Sequence, residues 1–129
     1  MLNRSEDSLN AALEMFRRKE YDASAVFFYY SILQRMMFAL AHSKEKPITY
    51  DKQNPLNEDL HKKLKFEICN RIRDGKEAKS VGELFEQLHN FRNIAEYTTK
   101  SLSIKEGLEC KELQEKLTSK IKNFFPLPH

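Results

Sequence analysis

Arg92-Asn93-Ile94-Ala95-Glu96-Tyr97 is the stretch with the clearest chemical content. Phe85, Leu88, Phe91 and Ala95 recur at spacings of 3, 3 and 4, which lays them on one stripe of a helix. Arg92 and Asn93 fall at the border of that stripe. An arginine beside a buried seam is costly without an anionic partner. One reading is a snorkelling side chain, or a structural pair with Glu96 at i+4. The other is a planar, permanently charged fork presented to a phosphate, with Asn93, Glu96 and Tyr97 lining the same ligand site. Tyr97 can donate a hydrogen bond or stack on a base. With an ordinary pKa of about 10, a tyrosine is a poor general base at neutral pH.

His89 lies three residues before Arg92, one turn away on a neighbouring face. It either shares a cleft with Arg92 or is a partly exposed surface histidine. Candidate catalytic groups are therefore Arg92, His89 and Tyr97. His61 stands next to Lys62 and Lys63 and reads as part of a solvated face. His42 suits the C-terminal end of a helix, where a cation is favoured. Lys62, Lys63, Lys65, Arg71 and Arg73 form a basic cluster. Such runs are usually the wet side of a helix, but one that flanks the cleft of Arg92 would serve an RNA backbone. No set of His, Cys and acidic residues has zinc spacing along the chain, so no metal site and no cofactor are predicted. Glycine-rich phosphate loops, Walker patterns and nucleophile elbows are absent.

These side chains need a scaffold, and the composition indicates which kind. The chain has 129 residues, suited to one domain spanning 1–129 with one core. It is 40% hydrophobic and 32% charged, which argues against wholesale disorder. Three Gly and four Pro leave little turn punctuation, and Leu, Glu, Lys and Ala favour long helices. A net charge of +3 is too weak to imply nucleic acid alone. Cys69 and Cys110 lie far apart in helical patterns. With no secretory apolar run near Arg4, Glu6 and Asp7, they predict reduced thiols and a cytoplasmic location. The apolar run Ala25 to Ala41 holds Ser31, Gln34 and Arg35 and is shorter than a typical membrane span. It predicts a central buried helix and no membrane association.

The periodicity predicts four to five helices in a compact all-α bundle of antiparallel helices. The first covers about 5–18, capped by Ser5, with Leu9, Ala12, Leu13 and Phe16 inward. After a corner at Lys19-Glu20, where Asp22 is a candidate cap, the second runs about 21–43. Val26, Tyr29, Tyr30, Leu33, Met36, Met37 and Leu40 form its seam, with Phe27, Phe28, Ile32 and Phe38 outside it. A helix apolar on nearly all sides must be covered on nearly all sides, by the core and by a self-association face. A loop follows over 44–57. Asn57 caps a third helix with Leu60, Leu64, Ile68 and Ile72 inward, and Asp74-Gly75 ends it. Ser80 caps a fourth helix, about 80–99. Ser103 caps a fifth, about 104–124, with Glu106 completing a capping box. Its inward residues are Ile104, Leu108, Leu113, Leu117 and Ile121. Residues 125–129 form a tail that Pro126 and Pro128 keep non-helical.

Three segments together resemble the HEPN family (higher eukaryotes and prokaryotes nucleotide-binding), in particular small prokaryotic members with an Arg-x-x-Ala-Asp-Tyr signature. They are Lys19-Glu20-Tyr21-Asp22-Ala23-Ser24-Ala25 leading into the aromatic helix, then Arg92-Asn93-Ile94-Ala95-Glu96-Tyr97 with Glu96 for the usual Asp, then Ser103-Ile104-Lys105-Glu106-Gly107 with the terminal helix. The resemblance covers most of the chain in the same order. It implies a four- or five-helix bundle that dimerises around the motif-bearing helices. Many members are metal-independent ribonucleases with an Arg and, four to six residues on, a His, the Arg holding phosphate and the His exchanging a proton. Here Arg92 and Asn93 match the first two positions, and Tyr97 occupies the His position.

Three functions follow from this reading. The first is a non-catalytic or weakly active module binding nucleotide, RNA or a cognate protein, of the toxin–antitoxin or defence type. The second is a structural homodimer or interaction protein in which Arg92 and Glu96 fix helix register. The third is a divergent metal-independent ribonuclease using Arg92 with His89 or Tyr97. The loss of the motif histidine ranks binding first and cleavage last.

Overall fold

The computed structural model describes residues 1–53 and 59–127. Asn57, the expected cap of the third helix, lies outside them. Five helices follow one another: α1 (Leu2–Arg17), α2 (Tyr21–Ala41), α3 (Leu60–Asn70), α4 (Gly75–Tyr97) and α5 (Ile104–Phe124). Together they form an all-α helical bundle. α2 is its axis: α1, α3, α4 and α5 all pack on it. The packing of α1 is almost entirely against α2, whereas α4 also meets α3 and α5.

This arrangement follows from the apolar surface of α2. Phe28, Ile32, Met36 and Leu40 are fully buried, and Tyr29, Leu33 and Met37 nearly so. Phe28 and Ile32, expected outside the seam, are at its centre, because helices cover α2 on several sides. Helices of the same chain cover much of this surface, leaving Phe27, at 37% exposure, as the one exposed large apolar side chain of α2. α2 is long and apolar enough to cross a membrane by length and composition, yet most of that stretch is buried inside the bundle.

Several helix ends differ from the expectation, each for a local reason. α1 begins at Leu2, and Ser5 is a buried interior residue whose hydroxyl donates to the Ser31 carbonyl of α2 at 2.6 Å. The serine thus bonds between helices instead of capping one. Asp22 lies in the first turn of α2, and its carboxylate accepts from the Leu102 backbone N–H at 2.7 Å. It tethers the α4–α5 connection and does not cap α2. Asp74 opens α4, accepting from the N–H groups of Lys76 and Glu77, so Asp74-Gly75 starts the fourth helix earlier than Ser80. Ser103 and Glu106 form the expected capping box. On α5, Leu113, Leu117 and Ile121 are buried, but Ile104 and Leu108 are 64% and 44% exposed. The buried line in its first turns runs instead through Gly107 and Cys110, because Tyr21 of α2 comes down onto Gly107.

Two glycines report this packing oppositely. A Cβ on Gly107 would stand 2.6 Å from Tyr21 Cδ1 and 3.2 Å from Tyr21 Cβ, close to the root of a ring that also packs edge-on against Phe16. A Cβ on Gly82 meets the flexible Lys65 Cε at 3.3 Å and Cys69 Sγ at 3.6 Å. Helix propensity favours alanine over glycine by about 1 kcal/mol, and overpacking a tight contact costs about 1–3 kcal/mol. Gly82→Ala should therefore raise the urea midpoint and Gly107→Ala should lower it. The opposite order would refute the α2–α5 contact.

Candidate functional site

The C-terminal half of α4 brings its motif against α2 and α3. Phe85 and Leu88 are fully buried, and Phe91, Ile94 and Ala95 pack on the core's edge, as the stripe requires. That register turns Arg92 towards α2. Its Nη2 donates to Tyr30 Oη at 3.2 Å and to Tyr97 Oη at 3.1 Å. Its guanidinium lies 5.4, 5.6 and 5.0 Å from the ring centres of Tyr29, Tyr30 and Tyr97, within cation–π range. Glu96 Oε2 is 2.6 Å from Arg92 Nε, a charge contact whose angle leaves the Nε–H without an aligned hydrogen bond. Asn93 Oδ1 sits at 3.4 Å from Nη1, too long to orient the fork firmly. The Arg92 side chain is 16% exposed. Burial works against its charge, but Tyr30, Glu96 and Tyr97 outweigh it and hold its pKa above the ordinary arginine value. Tyr97 is 68% exposed and forms the open rim of this cage.

One turn earlier on α4, Glu86 and His89 project towards α3, where they meet His61. His61 is only 9% exposed, not part of a solvated face. Its Nε2 is 2.7 Å from Glu86 Oε1 and its Nδ1 is 2.9 Å from Tyr29 Oη. This network assigns the tautomer: Nε2–H donates to the carboxylate, and Nδ1 accepts from the tyrosine. Its ring stacks on Phe85 at 4.2 Å and on His89 at 3.7 Å with 16° between the planes. Tyr29 stacks on Phe85 at 5.6 Å and leans on His89 at 5.3 Å. His89 itself is half-buried and makes no hydrogen bond among the described residues. Glu86 also pairs with Lys65 at 3.3 Å. A continuous chain thus runs Lys65–Glu86–His61, with His61 against His89 and Tyr29, and Tyr29 against Arg92.

The electrostatics follow. Burial lowers the pKa of His61, opposed by Glu86. Burial and then the neighbouring His61 lower that of His89. Burial raises Glu86, but His61 and Lys65 more than offset it and its carboxyl stays below the usual range. Desolvation raises Tyr29 well beyond an ordinary phenol, so it remains a donor. A histidine with a lowered folded pKa binds fewer protons than it does unfolded, so stability rises with pH. The contribution of these two histidines to stability should therefore be fully present above about pH 6.5 and be lost as pH falls below that value. The groups facing the pair are Tyr29, Lys65, Glu86 and Arg92. His89→Phe should flatten the slope between about pH 6.5 and 5 in thermal melts with chelator present.

The basic cluster divides. Lys65 faces the site through Glu86, and exposed Lys62 lies beside it. Lys62, Lys65, the 63%-exposed Phe66, Cys69 and Glu86 line an open groove of about 600 Å³ between α3 and α4. Lys63 instead donates to the Lys52 carbonyl at 3.0 Å. Arg71 is tied to Glu67 and to the carbonyls of Glu45 and Lys46, and Arg73 to Glu45 at 2.7 Å. These contacts join the 44–53 segment to α3 and the residues just after it, while the Arg73 side chain stays 89% exposed. Cys69 and Cys110 are free thiols, and burial pushes Cys110 up to about 12. Sequence reasoning missed His61 and Glu86. The available signals were Glu86-x-x-His89, which sets a carboxylate and an imidazole on one side of a helix, and the place of His61 beside the Leu60–Leu64–Ile68 stripe. No protein-family model, curated protein or solved structure matches the chain.

Proposed function

We propose that this chain is a HEPN-like module that binds single-stranded RNA or a nucleotide on its α3–α4 face without cleaving it. The observation that carries the reading is the contiguity of three features: the groove with Lys62, Lys65 and Phe66, the imidazole cluster, and the tyrosine-caged Arg92. Phe66 offers a stacking platform, worth about 1–3 kcal/mol per base. Lys62 and Lys65 supply backbone charge, and Arg92 supplies a fork whose Glu96 contact can be exchanged for phosphate. The resemblance of the Arg92–Tyr97 motif points the same way. A tyrosine hydroxyl that accepts from Arg92 stands where the family's ribonucleases carry a histidine, which favours binding over cleavage.

The test is a fluorescence titration of a short single-stranded RNA at low salt with chelator present. Saturable binding that weakens about tenfold in Phe66→Ala, with the RNA intact afterwards, is expected. Absence of binding at low salt rejects the reading. Metal-free cleavage that disappears in Arg92→Ala would replace it with the ribonuclease reading.

A second reading has its own observation. Arg92 is largely enclosed and already engaged with Glu96, Tyr30 and Tyr97, as a pin fixing the register of α4 on α2 would be. Such a pin leaves a module whose function is assembly, with a second copy or a cognate protein.

A further inference from the structure

We propose that His61, Glu86 and His89 form a binding site for a single first-row divalent cation of the Zn2+ type. The proposal does not rest on the RNA-binding reading. One donor atom from each of the three residues lies within 4.8 Å of the others. Two of the ligands come from Glu86-x-x-His89, the spacing by which helical bundles present a carboxylate and an imidazole inward from one helix. The third comes from the facing helix α3, so the ion would bridge α3 and α4. Two imidazoles and one carboxylate, with one position left for water, form a donor set that suits zinc in an open site.

The surroundings are those of a supported site. Tyr29 Oη contacts His61 Nδ1, the partner that orients a ligating imidazole through its other nitrogen. Phe85 and Tyr29 stack around His61 and fix its ring. On binding, the ion takes the place of the proton on His61 Nε2; as that proton is given up to solvent another is taken up from solvent at Nδ1, so the imidazole stays neutral with no net proton release and its Nδ1–H becomes the donor to Tyr29 Oη. The lone pairs of two parallel rings cannot converge on one ion, so the His61–His89 stack must open. His89 is the ring that turns, since it is half-exposed and has no hydrogen bond among the described residues, whereas His61 is clamped. Lys65 is the built-in competitor: its ammonium sits 3.3 Å from Glu86 Oε1, and at 38% exposure it can swing out into the groove.

The experiment is calorimetric titration of the full chain with Zn2+ alone, paired with the visible spectrum of the Co2+ form. One ion per chain and a four-coordinate Co2+ spectrum are expected. His89→Ala and Glu86→Gln should each weaken binding at least tenfold, and Tyr29→Phe about tenfold. Lys65→Gln should tighten it, and His42→Ala should leave it unchanged. Circular dichroism checks that each variant keeps its helix content. Imidazole nitrogen resonances of the unaltered chain give an independent readout, with His61 Nε2 moving on Zn2+ addition. Equal Zn2+ affinity in the unaltered chain and His89→Ala, dependence on His42, or unmoved imidazole signals would each overturn the site. RNA titrations in chelator are unaffected by this outcome, so the two proposals fail separately.

Discussion

Phe85→Ala is expected to lower the unfolding free energy by about 3–5 kcal/mol, the usual cost of emptying a buried phenylalanine site. Phe85 is fully buried, and its ring is held between Tyr29 at 5.6 Å, nearly parallel at 6°, and His61 at 4.2 Å. The void would open where α2, α3 and α4 meet. It cannot collapse easily, because the neighbouring rings are themselves pinned: Tyr29 to His61 and His61 to Glu86. Domains of this size are stable by about 5–15 kcal/mol, so the variant would sit close to the unfolding threshold. Urea denaturation measures the loss, and Phe66→Ala is the matched control. Phe66 is 63% exposed, and its removal should change stability by no more than about 0.5 kcal/mol. A loss below about 1 kcal/mol for Phe85→Ala would mean that the ring stack is not the packed centre of the site.

The second large effect concerns Arg92, and it decides between the two functional readings. Arg92→Ala removes a fork engaged with two hydroxyls and one carboxylate. A charged hydrogen-bond partner is worth about 1.5–3 kcal/mol, which corresponds to about a ten- to hundredfold loss in RNA affinity. Arg92→Lys keeps the charge but cannot bridge Tyr30, Tyr97 and Glu96 together. If Arg92 holds phosphate, both variants should lose RNA affinity while Arg92→Lys keeps a near-normal Tm. If Arg92 is a register pin, both should lower Tm and any change in RNA affinity should follow the loss of folded protein. The comparison is informative because Glu96 is 35% exposed and can rehydrate, so Arg92→Ala does not strand a buried charge.

The parts of this fold that the sequence made legible were those governed by short-range chemistry. The Ser103–Glu106 box placed the start of α5 because both partners lie within one turn. The Phe85–Leu88–Phe91–Ala95 stripe placed the buried side of α4, and with it Arg92. What failed depended on a neighbour distant in sequence. Ser5 has the residue type of a cap, but its hydroxyl is satisfied by Ser31, 26 positions away. Asp74-Gly75 was ambiguous between an end and a beginning, and the side chain of Asp74 resolved it by accepting from the α4 amides. His61 was misjudged from Lys62 and Lys63, although adjacent residues on a helix point in different directions. Its real neighbours, Glu86 and His89, lie 25 and 28 positions on. The candidate site is therefore half legible: the arginine and tyrosine half sits within one motif, and the histidine half exists only once α3 lies against α4.

The position of α1 has a consequence for how the chain opens. Because α1 rests almost entirely on α2, it can detach without disturbing the contacts of α3, α4 and α5 with one another. Any of the other helices that leaves uncovers two partners at least. Amide exchange should then divide the molecule into two cooperative units, with α1 as the less protected one. Its tether is short, turning at Lys19 with a positive φ of 63°. A detached α1 would leave the Ser31 carbonyl and the apolar flank of α2 bare, shaped to receive the same helix from another copy. Were α1 to exchange between chains, the pairing would use the α1–α2 contact and would not involve the α3–α4 groove.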